Sequence, residues 1–197
     1  MGLSIHYSGS IKDLTLIDPL IIEAADICKS MGWSYHIWKQ NDFTPVKHII
    51  DFLPEHLNGI TFTIEGCESL SLCFLPNKKM SSLVNLLTKG AYPKAEMIYS
   101  VSVKTQFAGP DIHITIIKFL RYISNKYLAD FNLVDEGLYW ESNDEQKLLH
   151  QFERYDFILN EVANTISNMK TIPGENPISL AERLESVLER LHKKLNP

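Results

Sequence analysis

A chain of 197 residues, 45% hydrophobic and 22% charged, is long enough to bury a core and has the composition of an ordinary soluble domain. Its net charge of -5 and its scattered basic residues, adjacent only at Lys78-Lys79 and Lys193-Lys194, argue against a nucleic-acid binder, which needs clustered cations to neutralise phosphates. No apolar run approaches the roughly 20 residues of a membrane span. The three cysteines, Cys28, Cys67 and Cys73, form no CxxC pair and suit reduced thiols, so one cytoplasmic domain over residues 1–197 is expected.

In chain order, Leu3 to Ser8 alternates as a strand, and Asp18-Pro19 opens a helix with a capping acceptor before a proline. Leu20, Ala24, Ile27 and Cys28 form its apolar stripe and Gly32 ends it. Trp33 to Trp38 reads as a second strand, and Val46 to Phe52 as a short helix in an irregular connection. Ile60 to Glu65 and Leu70 to Phe74 alternate on either side of Gly66-Cys67-Glu68-Ser69, the pattern of a hairpin. A short helix from Ser81 to Leu87 precedes the strand Ile98 to Lys104. Gly109-Pro110 then leads into a helix with Ile112, Ile116, Phe119, Leu120 and Ile123 on its core face, and Asp130 to Val134 is the last strand. Two terminal helices over residues 143–195 follow, with capping boxes at Ser142/Glu145 and Ser179/Glu182. Their apolar positions are Leu149, Phe152, Leu159, Val162 and Ile166, then Leu180, Leu184, Val187, Leu188, Leu191 and Leu195.

The stretch from Leu3 to Trp38 recurs in pattern, without a gap, from Tyr99 to Val134: Ile5 falls on Val101, Ile27 on Ile123 and Tyr35 on Phe131. Each copy reads as strand, helix, strand, so units 3–38 and 99–134 are expected to superpose. The expected fold is α+β, a two-layer sandwich. Its mixed sheet has about six strands, built from two β-α-β repeats with right-handed crossovers plus the hairpin, and helices cover one face. Ile27, Ile64, Leu72, Val101, Phe119 and Leu133 should be nearly inaccessible. The opposite phase of the strands carries Ser4, His6, His36, Trp38, Thr61, Thr63, Ser71, Cys73, Ser100 and Ser102. That hydroxyl-rich face reads as solvated, as a recognition surface for another protein, or as a pocket centred on His6 and His36.

No catalytic or cofactor motif stands out, and no cofactor is expected. His6 and His36 share a phase in consecutive strands, but zinc wants about three or four ligands, so they are candidate metal ligands without a complete set. The loop Asp135-Glu136-Gly137-Leu138-Tyr139-Trp140-Glu141 places carboxylates around two aromatics. Asp135 and Glu136 could serve acid–base chemistry with the histidines, or simply favour the N-terminus of the following helix. The binding candidates are Ser4, His6, His36, Thr61, Thr63, Ser100, Ser102, Tyr139 and Trp140.

The passages SIHYSG (4–9), LSLCFLPN (70–77), KTQFAGPDIHI (104–114) and VDEGLYWESND (134–144) together resemble a Bacteroidetes-type group of bacterial proteins of about this length and of unknown function. The resemblance runs over most of the chain and implies a bacterial cytosolic protein, with no activity or catalytic residue to carry over. Two function classes follow. One is a non-catalytic interaction protein, immunity- or adaptor-like, a monomer or weak dimer that binds neither nucleic acid nor membrane. The other is a small hydrolase or metal-dependent enzyme using His6 and His36 with Asp135 or Glu136.

Overall fold

The computed structural model describes residues 2–40, 46–168 and isolated positions from 176 to 189. The first strand, β1 (Ser4–Ile11), leads through a 3-10 turn, Leu14–Leu16, into α1 (Ile17–Met31). Asp13 caps that turn, its Oδ1 accepting from Thr15 N–H at 2.9 Å and from the Thr15 hydroxyl at 2.7 Å. Asp18, expected as the helix cap, instead lies within the first turn of α1, which starts directly from the capped 3-10 turn with Leu16 at its N-cap and no side-chain cap. Gly32 ends α1 as expected, in the left-handed conformation (φ 68°) that a side chain would disfavour.

Next come β2 (Ser34–Trp38), β3 (Asn58–Thr63), β4 (Leu70–Phe74), β5 (Met80–Ser81) and α2 (Leu83–Leu87). The helix expected at Val46 to Phe52 is replaced by two 3-10 turns, Ile49–Asp51 and Pro54–His56. Ile98 and Tyr99 belong to another such turn, Ala95–Tyr99, so β6 (Val101–Lys104) starts later than its apolar pattern implied. Then follow α3 (Pro110–Tyr127), β7 (Leu128–Asp135), α4 (Tyr139–Ser142) and α5 (Glu145–Ser167). Asp144, not Ser142, caps α5, accepting from Gln146 N–H at 2.9 Å. The apolar seam expected from Leu180 to Leu195 lies outside the described residues. The chain divides into two compact units, residues 1–148 and 149–197.

The mixed six-stranded sheet is corrected to two antiparallel sheets in the first unit. One has the order β6-β1-β7 and the other β2-β3-β4-β5. β6 and β7 both run antiparallel to β1 and flank it, so α3 connects two parallel strands with a third between them. β1 and β2, by contrast, fall in different sheets. Units 3–38 and 99–134 thus share a hydrophobic pattern but not strand pairing, because strand partners are chosen by contacts distant in sequence, to which local periodicity is blind.

Side-chain phase is largely as expected: Ile5, Tyr7, Ile60, Phe62, Leu70, Leu72, Val101, Val103 and Leu133 are buried. Ile27 is only half-buried, whereas its neighbours Ala24 and Cys28 are fully covered. Phe62 of β3 meets Phe119 of α3 edge-on, with ring centroids 5.4 Å apart. The expectation of helices on one face alone fails at β4, where all five residues are buried. Cys73, from the phase assigned to solvent, enters a second apolar cluster with Phe52, Leu57, Leu75, Leu86, Ile98 and Tyr99. Residues between the strands thus fold over the opposite face of the four-stranded sheet and bury part of it.

The sheets are joined by Tyr7. Its phenol donates to the Ser71 carbonyl at 2.8 Å and accepts from Ser71 N–H at 3.0 Å. Ile11 N–H also donates to the Lys78 carbonyl at 3.0 Å, beside a bridge between Ser10 and Lys79.

Candidate functional site

Where the second apolar cluster stops short of covering the four-stranded sheet, a cleft of about 700 Å³ remains. Its floor is the polar phase of three strands: Ser34, His36 and Trp38 on β2, Thr61 and Thr63 on β3, and Ser71 on β4. These side chains share a face because antiparallel register sets His36 opposite Thr61 and Thr61 opposite Ser71. One wall is Ser82, Leu83, Val84 and Asn85 at the start of α2, with Tyr92. Another is the turn Cys67-Glu68-Ser69 with Ser102 of β6.

Hydrogen bonds hold these walls in place. Ser82 Oγ accepts from Asn85 N–H at 3.1 Å and caps α2. The buried Asn85 amide donates to the carbonyls of Ile98 and Ser100, both at 2.9 Å, and its oxygen accepts from the Tyr92 hydroxyl at 3.1 Å. Trp38 Nε1–H donates to Thr61 Oγ1 at 3.0 Å, and the Trp38 ring meets the His36 ring edge-on with centroids 4.5 Å apart. Glu68 ties the hairpin turn to β6: its Oε2 accepts from Lys104 N–H, and its own N–H donates to the Lys104 carbonyl, both at 3.0 Å. Burial, assisted by the Glu68 carboxylate, pushes the Cys67 thiol up to about 11, so at neutral pH it is a thiol and a poor nucleophile.

Of the residues singled out in the sequence, His36, Thr61, Thr63 and Ser102 therefore line one cleft. Ser4, His6, Ser100, Tyr139 and Trp140 lie outside it. The pairing of His6 with His36 is corrected: β1 and β2 are not neighbours, and among the described residues no group of three or more metal-ligating side chains converges. His6 instead faces Glu136, Nε2 to Oε1 at 3.5 Å, while Glu136 Oε2 accepts from Ser4 N–H at 2.8 Å. Both partners of that ion pair are more than a third exposed, so it contributes little to stability.

Asp135 is buried and has a different task from acid–base catalysis in a cleft. Its Oδ1 meets His113 Nε2 at 2.9 Å and accepts from Gly137 N–H at 2.7 Å. Its Oδ2 accepts from the N–H groups of Tyr139 and Trp140 at 2.8 and 2.9 Å. Burial raises the Asp135 carboxyl, but the hydrogen bond and charge of His113 and the backbone donors outweigh it and leave it below its ordinary value. His113 Nδ1 lies 2.7 Å from Thr105 Oγ1, completing a Thr-His-Asp relay. Thr105 and His113 are 0% exposed and Asp135 2%, so no substrate reaches this relay. It fixes the turn after β7, where Leu138 is held at φ 62°, a costly value for a leucine. Trp140 stacks beneath Arg121, whose guanidinium carbon lies 4.8 Å from the ring centroid, and meets Phe131 edge-on. The aromatic loop is thus a packed structural corner.

The roles of His113 and Asn85 were missed in the sequence. His113 does share the buried helical spacing of Ile116, Ile117 and Leu120, a signal that places it in the core. Asn85 and Tyr92 carry no local signal, since their function depends on carbonyls contributed by residues 98 and 100. No family model, curated protein or solved structure matches this chain.

Proposed function

We propose that this is a non-catalytic recognition protein, adaptor- or immunity-like, which engages its partner through the cleft over the four-stranded sheet. The observation that carries the reading is the cleft's lining: hydroxyls beside an amide and aromatic rings that hydrogen bonds hold in place, around a thiol whose acidity is suppressed. Short hydroxyl side chains lose little rotamer freedom when a ligand orders them, and aromatic rings supply rigid contact area. The free thiols of Cys28, Cys67 and Cys73 suit a reducing cytosol, and no helix among the described residues is long and apolar enough to cross a membrane.

Alkylation of Cys67 by iodoacetamide at neutral pH, read by mass spectrometry, tests the absence of an activated nucleophile. A thiol raised from 9.0 to about 11 holds about a hundredfold less thiolate, which the greater nucleophilicity of that thiolate offsets in part, so labelling should be about tenfold or more slower than for an unfolded control peptide. Labelling faster than the control would overturn the non-catalytic reading. A benzophenone side chain at Val84, an exposed residue of the cleft wall, should cross-link a discrete partner in a native extract, and the additional change Ser102→Arg should abolish the product. Equal capture from Lys118, on the exposed side of α3, would discard the cleft as the recognition site.

A further inference from the structure

We propose that the cleft receives an uncharged polyhydroxylated ring, a neutral saccharide unit, seated among Trp38, Tyr92, Thr63 and Ser102. The inference rests on the recognition reading of the same cleft and names the chemistry of what is recognised.

Charge narrows the ligand first. Among the described lining residues there is neither Lys nor Arg, and Glu68 is the only carboxylate. An anionic ligand would find no permanent cation to neutralise it, only the imidazole of His36, and would face Glu68, and like-charge juxtaposition is penalised. A cationic ligand would find only a solvent-exposed carboxylate that already accepts from Lys104 N–H.

The polar inventory narrows it further. The hydroxyls of Ser34, Thr63, Ser69 and Ser102 make no hydrogen bond to other described residues, and each can both donate and accept. Such groups match a ligand that itself presents many hydroxyls. The half-buried rings of Trp38 and Tyr92 are anchored against the second apolar cluster and supply rigid, amphipathic surface for the less polar face of a sugar ring. Size agrees, because about 700 Å³ lies within the range of small-ligand sites, about 300–1,000 Å³.

An extended peptide fits less well. Peptides gain affinity by adding to the hydrogen-bonding edge of a sheet, whereas this cleft presents side chains on a sheet face.

The test is titration of the full chain, followed by NMR, with D-glucose, D-galactose, N-acetylglucosamine and maltose, beside glucuronate and glucosamine as charged counterparts. At least one neutral sugar should perturb the amides of residues 34–38 and 61–63, saturating in the millimolar range. Glucuronate should bind about tenfold or more weakly. Thr63→Lys, at an exposed position, should abolish the shifts while leaving the thermal melt unchanged. No saturable shift with any neutral sugar, shifts confined to residues outside the cleft, or equal binding of glucuronate would each overturn the assignment. Free sugar and sugar borne on a partner share this chemistry. Mild periodate oxidation of the extract before cross-linking from Val84 separates them, since only a glycan-bearing partner loses its cross-link. Absence of sugar binding, together with slow Cys67 alkylation and a cleft-specific cross-link that survives periodate, would discard the saccharide and leave the recognition reading intact.

Discussion

Replacing Tyr7 by Phe isolates one of the links between the two sheets. The ring stays, 2% exposed, and only the phenol oxygen goes. That oxygen donates to the Ser71 carbonyl at 2.8 Å and accepts from Ser71 N–H at 3.0 Å. β5 pairs with β4 at Cys73 and Phe74 only, so at Ser71 the phenol takes the place of a strand neighbour. Burial pushes its pKa far above the ordinary tyrosine value, and the hydroxyl stays neutral, able to donate and accept at once. Without it, two buried backbone groups lose their partner. An unsatisfied buried group costs about 1–3 kcal/mol, so the pair should cost about 2–4 kcal/mol after partial relaxation. Urea denaturation at neutral pH should show that loss with the slope m unchanged. Tyr35→Phe, which removes a half-buried hydroxyl with no hydrogen bond to other described residues, should change stability by less than about 0.5 kcal/mol. A Tyr7→Phe loss below about 1 kcal/mol would refute the view that this phenol staples the sheets.

Asp135→Asn should destabilise by about 2–4 kcal/mol at neutral pH, because it disrupts a buried network in which His113 and the N–H groups of Gly137, Tyr139 and Trp140 surround the carboxylate. Since the folded-state carboxyl lies below its ordinary value of 3.8, its contribution is complete above that pH and is lost as pH falls through the folded value. Wild-type stability should therefore drop more steeply than that of the variant as pH falls from about 5 through 3.8 and below, and parallel curves would contradict the assignment. Gly59→Ala should cost about 2–4 kcal/mol. At φ 151° an added Cβ would stand 2.2 Å from the Leu72 carbonyl oxygen and 2.6 Å from Cys73 Cα, both backbone atoms of the adjoining strand. Gly90→Ala, where a Cβ meets nothing within 4 Å, is the control and should stay within about 0.5 kcal/mol on the same melts.

Local pattern alone determined most elements and the inward phase of the strands. Period-two alternation in Ser4–Ile11, Asn58–Thr63 and Val101–Lys104, and helical spacing in Ile17–Met31 and Pro110–Tyr127, are properties of neighbouring residues and are readable in order. The same alternation picked out His36, Thr61, Thr63 and Ser102, four of the side chains that line the cleft. Only the tertiary structure decided which strands pair, that there are two sheets, and that the polar face is part core and part cleft. Residues 3–38 and 99–134 show the boundary: similar patterns end in different pairings because a strand's partner is set by side chains from more than twenty to more than a hundred residues away. Likewise Ser71 and Cys73, polar by phase, are buried because the phenol of Tyr7 and the apolar segment around Ile98 fold against them. Alternation specifies which side chains share a face, but what covers that face depends on contacts that no local window contains.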